Sequence, residues 1–227
     1  MAKDLAIVLN GGSVNSAVAT ALATQRYRPI MLHASAAAPI ETGGSQPSRG
    51  RVAFEQQVAH FKPYREHVLP MPYLSQLATA AGPKPVTTAA DPRQQTPLTP
   101  QMLNLLPLLA AAAQFASHHH AVAIYLGMRV GAGPDEVAQA TEYVQIWTEL
   151  IQSPCGLAEL EIITPLMELE AWQVVDLAFQ VNAPLDRTWS CVNDGGEPCW
   201  ACRGCRARES AFQQAGKPDP LRVGAKN

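Results

Sequence analysis

The chain has 227 residues, 47% of them apolar and only 16% charged, with a formal net charge of −2. That balance excludes disorder driven by charge excess, excludes a coiled coil, and argues against a stable nucleic-acid partner. The longest apolar run, near Leu105 to Ala113, contains Pro107 and falls far short of the roughly 20 residues of a membrane span. Lys3 and Asp4 near the start leave no room for the apolar core of a signal peptide, so a cytoplasmic protein is expected.

Short apolar runs alternate with longer amphipathic ones, the pattern of a parallel sheet covered by helices. Leu5 to Leu9 predicts the first strand, and Val14 to Arg26 a helix with Val14, Val18 and Leu22 on one stripe. Ile30 to His33 predicts a second strand. A helix carrying Val52, Glu55, Val58 and Phe61 follows, then a third strand around Val68. The stretch from Ala80 to Pro100 holds five prolines and predicts a long loop. A charge-free helix from Gln101 to Ser117 leads through three histidines into a fourth strand, Ala121 to Leu126.

Pro134 and Asp135 open the next helix, with Val137, Tyr143, Val144, Trp147 and Ile151 on its apolar face. Glu161 to Ile163 predicts the fifth strand. Glu168 to Val181 reads as a helix with Trp172, Val175 and Phe179 buried. The fold expected is α/β: a doubly wound, mostly parallel five-stranded sheet with helices on both faces. It divides into a nucleotide-binding domain over 1–186 and a cysteine-bearing appendage over 187–227.

Cys191, Cys199, Cys202 and Cys205 stand as C-x7-C-x2-C-x2-C across a turn at Asp194, Gly195 and Gly196. Four thiolates so spaced can surround one ion tetrahedrally, which points to structural zinc, with an iron–sulfur cluster or disulfides as the alternatives. From Arg203 onward six basic residues face two acidic ones; Arg203, Arg206 and Arg208 are placed to offset the charge of a metal–thiolate centre. Cys155 reads as a spectator. His118, His119 and His120 point in successive directions and cannot converge on one ion in regular structure.

In AIVLNGGSVNSAV a glycine turn joins the first strand to the first helix, where backbone N–H groups and the helix's positive end can receive phosphate. AIVLNGGSVNS aligns without a gap with the SGGxDS pyrophosphate loop of the ATP-pyrophosphatase (PP-loop) superfamily. The terminal segment from Pro165 to Pro220 closely resembles the C-terminus of the 7-cyano-7-deazaguanine synthase (QueC) family. The series Thr188-Trp189-Ser190-Cys191, Pro198-Cys199, Cys202, Cys205-Arg206 and Ala211-Phe212 carries that likeness.

The resemblance implies an adenine-nucleotide alpha-hydrolase-like fold and an ATP-dependent ligase. Such an enzyme converts 7-carboxy-7-deazaguanine and ammonia to the nitrile through an acyl-adenylate, on the way to queuosine. It further implies Zn2+, ATP and Mg2+ as bound groups and a homodimer as the assembly. Gly11, Gly12, Ser13, Asn15 and Ser16 are then the nucleotide-binding candidates, and Asn15, Ser16 and Asp135 the catalytic ones. The loop departs from the motif: Gly11 stands for its first serine, Ser13 for its second glycine and Asn15 for its aspartate. An amide in that place lacks the charge that helps hold hydrated magnesium. After the fourth strand only Gly127 and the Pro134-Asp135 step match the family's Glu-Asp-Tyr-Ser-Gly-Tyr-Pro-Asp segment. These departures leave two alternatives: a catalytically degenerate relative that serves as a binding or assembly protein, or a ligase for another carboxylate. Asp135 itself reads equally as a substrate contact or as the N-terminal charge of its helix.

Overall fold

The computed structural model describes residues 3–35, 47–73 and 98–223. Two runs with no polar face, β1 (Leu5–Leu9) and β4 (Ala123–Leu126), lie side by side at the centre of a parallel sheet. β2 (Arg28–Ser35) flanks β1, and the edges are β3 (Arg65–Pro70) and β5 (Glu161–Ile163), giving the order β3-β2-β1-β4-β5. Charged residues fall on the edge strands, where one side of the ladder meets solvent. In register, Ile7 pairs with Ile30 and Ile124, and Leu9 with Leu32 and Leu126.

Side chains alternate across the central strands, so each face has its own cover. Ile7 and Ile124 pack beneath α3 (Leu98–His119) and α4 (Pro134–Gln152), against Leu109, Ala112 and Ala140. Ala6, Val8, Ala123 and Tyr125 face the other way, toward α1 (Val14–Arg26). Behind α1 lie α5 (Ala171–Gln180) and α6 (Arg203–Gln214), with Val18, Val174, Val175 and Phe212 in one cluster. The helix that carries Cys205 and is capped by Cys202 is therefore part of the core; α2 (Arg49–Phe61) completes the same side.

Local chemistry fixes the helix ends. Ser13 caps α1 by accepting from Ser16 N–H, Ser48 caps α2 through Arg51 N–H, and Glu170 with Gln173 forms a reciprocal capping box on α5. Pro134 sits in the first turn of α4, where its missing N–H costs nothing.

The doubly wound five-stranded sheet with helices on both faces is as expected. β2 is longer than expected and α3 runs from Leu98 through His119. Of the loop expected from Ala80 to Pro100, residues 80–97 lie outside the described ones. Trp172 and Phe179 do not join the core: they are 39% and 37% exposed. Val175 is buried as expected, and α5 adds Val174 and Ala178 to it, because α1 and α6 both press on that narrower, smaller-residue face.

Candidate functional site

From β1 the chain winds outward to β2 and β3, then returns to lay β4 on the other side of β1. The carboxyl ends of β1 and β4 thus form the point where winding reverses, the place where open α/β sheets leave a crevice for ligands. Asn10, Gly11, Gly12 and Ser13 fill the turn after β1; Gly127, Met128 and Arg129 follow β4. The two segments nearly touch, since a Cβ on Gly127 would lie 2.9 Å from the Asn15 carbonyl carbon and oxygen. Gly12 has φ +78°, and a Cβ there would collide with the Gly50 carbonyl oxygen of α2.

The turn is latched by its own side chains. Gly11 N–H donates to Ser16 Oγ (3.1 Å), Gly12 N–H to Asn10 Oδ1 (2.8 Å) and Ser16 N–H to Ser13 Oγ (3.2 Å). Ser13, at φ −84°, needs no glycine conformation and acts as the helix cap. Among the described residues no partner takes the N–H of Ser13, Val14 or Asn15, the donors at the positive end of α1.

Beneath the latch is a buried polar network that sequence reading missed. Asn10 Nδ2 donates to Thr20 Oγ1 (3.0 Å) and to Gln57 Oε1 (2.8 Å), and Gln57 Nε2 donates to the Arg187 carbonyl (2.9 Å). Gln57 is 0% exposed. His33, stacked on Phe54, donates its Nδ1–H to the Asn10 carbonyl (2.8 Å); burial pushes its pKa below the ordinary value, so the ring is neutral. Every polar atom of the Asn10 amide group has a partner, which is what burial demands.

The four predicted cysteines come together. Their sulfurs lie within 4.8 Å of one another, with Cys191 Sγ 3.4 Å from that of Cys199 and 4.0 Å from that of Cys202. Disulfides would need about 2.05 Å; all five cysteines are free. A tetrahedron with metal–sulfur bonds of about 2.3 Å has edges of roughly 3.8 Å, so the donor set fits a single ion. Backbone N–H groups already point at the sulfurs: Asn193 and Cys199 donate to Cys191 Sγ, Cys202 to Cys199 Sγ and Cys205 to Cys202 Sγ. The N–H groups of Ala201 and Cys202 lower the Cys199 thiol to about 6, whereas burial raises that of Cys205. A thiol of the latter kind is ionised by the ion it binds.

Arg208 does not face the sulfurs. It is buried and paired bidentately with Asp219 (2.7 and 2.8 Å), donating also to Thr188 Oγ1 and the Leu185 carbonyl. Its charge is therefore answered by a carboxylate, not by the thiolates. Arg49 clamps the knuckle instead, donating to Asp194 Oδ1 and the carbonyls of Gly195 and Gly196.

Two cavities flank the turn. One, about 390 Å3, is apolar and lies over the strand ends, lined by Asn10, Gly11, Ser16, Leu32, Leu126 and Gly127 among others. The second, about 600 Å3, runs between the turn and the knuckle and is lined in part by Ser13, Asn15, Arg129, Trp189, Cys191 and Asp194. The structure thus brings Gly11, Gly12, Ser13, Asn15 and Ser16 together at one place and the cysteines at its border. Asp135 is exposed in the first turn of α4 and lines neither cavity. His118 and His119 end α3, and His120 turns the chain at φ 55°.

Compared with known proteins, residues 5–216 match the family model described as "Queuosine biosynthesis protein QueC". The 7-cyano-7-deazaguanine synthase of Acidobacterium capsulatum is 27% identical over 224 residues, 96% of each chain. That of Aliarcobacter butzleri is 36% identical over 115 residues, half of each chain. Among solved structures, the U34-tRNA thiolase NcsA from Methanococcus maripaludis with its [4Fe-4S] cluster aligns at 13% identity and a TM-score of 0.45, covering 95% of this chain and 68% of that one. No helix among the described residues is long and apolar enough to cross a membrane. With a family match over the whole sheet and the cysteine knuckle, the chain belongs to the QueC family.

Proposed function

We propose that the chain is an ATP-dependent ligase that converts 7-carboxy-7-deazaguanine and ammonia to 7-cyano-7-deazaguanine. The substrate carboxylate attacks the α-phosphorus of ATP and pyrophosphate leaves; ammonia then displaces AMP to give the amide. A second activation of the amide oxygen by ATP removes it as AMP and leaves the nitrile. The observation that carries this reading is the glycine turn at the β1/β4 reversal, with the open N–H groups of Ser13, Val14 and Asn15 beside it. Fixed dipoles of that kind stabilise the charge that develops on departing pyrophosphate without reorganising. Ser16 and the latch hold them in place, and the apolar cavity over the strand ends suits a flat base.

Zinc, in this reading, is bound by Cys191, Cys199, Cys202 and Cys205 and supplies a cross-link rather than chemistry; sulfurs this close together suit one ion better than a multi-iron cluster. The residues present do not suit a magnesium ion held by the protein. Asn15 offers a neutral amide, and Asp194, the one carboxylate lining the larger cavity among the described residues, accepts from Arg49. Asp135, exposed and away from both cavities, serves the α4 dipole. Exposed Leu103, Leu106, Ile146 and Leu150 on α3 and α4 supply an apolar surface for the homodimer.

One observation favours a second reading, a degenerate relative that binds without turnover: three of the turn's N–H groups are spent on Asn10, Ser13 and Ser16 side chains. Titration with ATP separates the two. The ligase reading expects ATP to bind and to yield AMP when 7-carboxy-7-deazaguanine and ammonia are added; binding without AMP supports the second reading, and no binding overturns the first.

A further inference from the structure

The poor fit to a protein-held magnesium ion raises the question of what answers the negative charge of a phosphate chain here. The larger cavity holds three charged side chains among its described lining residues: Arg129, Arg208 and Asp194. Two are committed elsewhere, Arg208 to Asp219 and Asp194 to the Arg49 backbone N–H. Arg129 is different. It follows β4 directly, is half-buried, and forms no ion pair among the described residues. One long hydrogen bond, Nη1 to the Leu169 carbonyl at 3.4 Å, tethers it and leaves most of its donors without a protein partner among the described residues.

Glu170, the carboxylate whose charge acts on Arg129, makes no ion pair with it and is occupied as the cap of α5 and as acceptor for Ala132 N–H. Arg129 is held in place from both sides: Val130 and Gly131 donate to the Met167 carbonyl, and Gly127 packs against Asn15. The cavity that Arg129 lines is also lined by Ser13, Val14 and Asn15, whose N–H groups are open.

We infer that Arg129 is a phosphate-binding residue of this site, supplying to the phosphate chain of a nucleotide, or to pyrophosphate, the positive charge that a carboxylate-held divalent cation would otherwise bring. This deepens the ligase reading and rests on it. A guanidinium presents a planar fork of donors matched to phosphate oxygens, and it costs less to strip of water than an ammonium or a hydrated divalent ion. Burial shifts its pKa downward from the ordinary arginine value, yet the group stays charged at any physiological pH. The exchange is consistent within the site: an aspartate at position 15 would line the same cavity as Arg129 and compete with phosphate for its charge, whereas Asn15 brings no charge to that cavity.

The test is calorimetric titration of the full, zinc-loaded chain with inorganic pyrophosphate and with ATP, in magnesium-containing buffer and in magnesium-free buffer without chelator. The unaltered protein is expected to bind pyrophosphate in both. Arg129→Gln should weaken that binding at least ~10-fold in both buffers, and Arg129→Lys should fall between, since a point charge lacks the fork. Folding of each variant is checked by its zinc content and thermal transition, and the lysine variant keeps the test decisive if the glutamine variant unfolds. Unchanged affinity in a folded Arg129→Gln protein, or binding by the unaltered chain only when magnesium is present, overturns the inference and leaves the ligase reading standing. Failure of the unaltered chain to bind either ligand in either buffer overturns both.

Discussion

Trp189 donates its backbone N–H to the Gly12 carbonyl at 2.9 Å, so a residue two places before Cys191, the first of the four clustered cysteines, is bonded to the turn that would receive phosphate. Gln57 makes a second link between the same regions, bonding Asn10 on one side and the Arg187 carbonyl on the other. The knuckle and the turn therefore share their backbone positions through hydrogen bonds, and disturbance of one should be felt at the other.

Metal loss should show that coupling. Cys202→Ser removes a ligand and is expected to lower the metal content from about one ion per chain to near zero. Hydrogen exchange at the bonded amides of Gly11, Gly12 and Ser16 should quicken in the variant, because Trp189 no longer holds the Gly12 carbonyl in place. Loss of metal with unchanged exchange at the turn would contradict the coupling.

The Arg208–Asp219 pair gives a stability prediction. Both side chains are almost fully buried, at 3% and 4% exposure. Asp219→Ala leaves a guanidinium buried with only Thr188 and the Leu185 carbonyl, and should cost about 3–5 kcal/mol. Replacing both partners, Arg208→Met with Asp219→Leu, should recover much of that loss. Urea unfolding of the three proteins checks it; an unaffected Asp219→Ala protein would mean that the pair carries no stability.

His33 ties stability to pH. Its folded-state pKa lies below the ordinary value, mainly through burial, so the unfolded chain takes up the proton first. Stability is then full above about pH 6.5 and falls as pH drops from there toward the folded-state pKa, by at most ~1.4 kcal/mol per pH unit for one proton. Burial lowers His67 and His119 too, so the test is a difference. His33→Phe, compared with the unaltered protein at pH 7.5 and 5.5, should lose less stability on acidification, though it starts lower for want of the Asn10 bond. An equal loss in both proteins would remove His33 from the explanation.

Asn15→Asp returns a carboxylate to the turn. With Arg129 in the same cavity, it should weaken magnesium-free pyrophosphate binding about 10-fold and make binding depend on magnesium. Titration in the two buffers reads both effects. Unchanged affinities would show that charge at position 15 does not bear on the phosphate site.

Sequence exposed the parts of this fold that are local. β1 and α1 have the bounds expected from an aliphatic run, a glycine turn and a serine cap, and the cysteine spacing announced a four-sulfur cluster because a turn and two short steps leave little freedom. What depends on distant partners was hidden. Gln57 carries no signal until Asn10 and Arg187 are brought to it, and Arg208 reads as a companion of the thiolates until Asp219 is brought against it. Trp172 and Phe179 read as core because size and spacing say so, but packing on α5 kept only Val175 of that set and added the small Val174 and Ala178. Arg129 gave no signal of its own; its meaning comes from the reversal of the sheet that sets β4 beside the β1 turn.

The most direct test of the central claim is product analysis after incubating zinc-loaded protein with ATP, magnesium, ammonia and 7-carboxy-7-deazaguanine. The account predicts AMP, pyrophosphate and the nitrile, with AMP formation dependent on the acid. A folded protein with its metal in place that releases no AMP above the protein-free blank would contradict it.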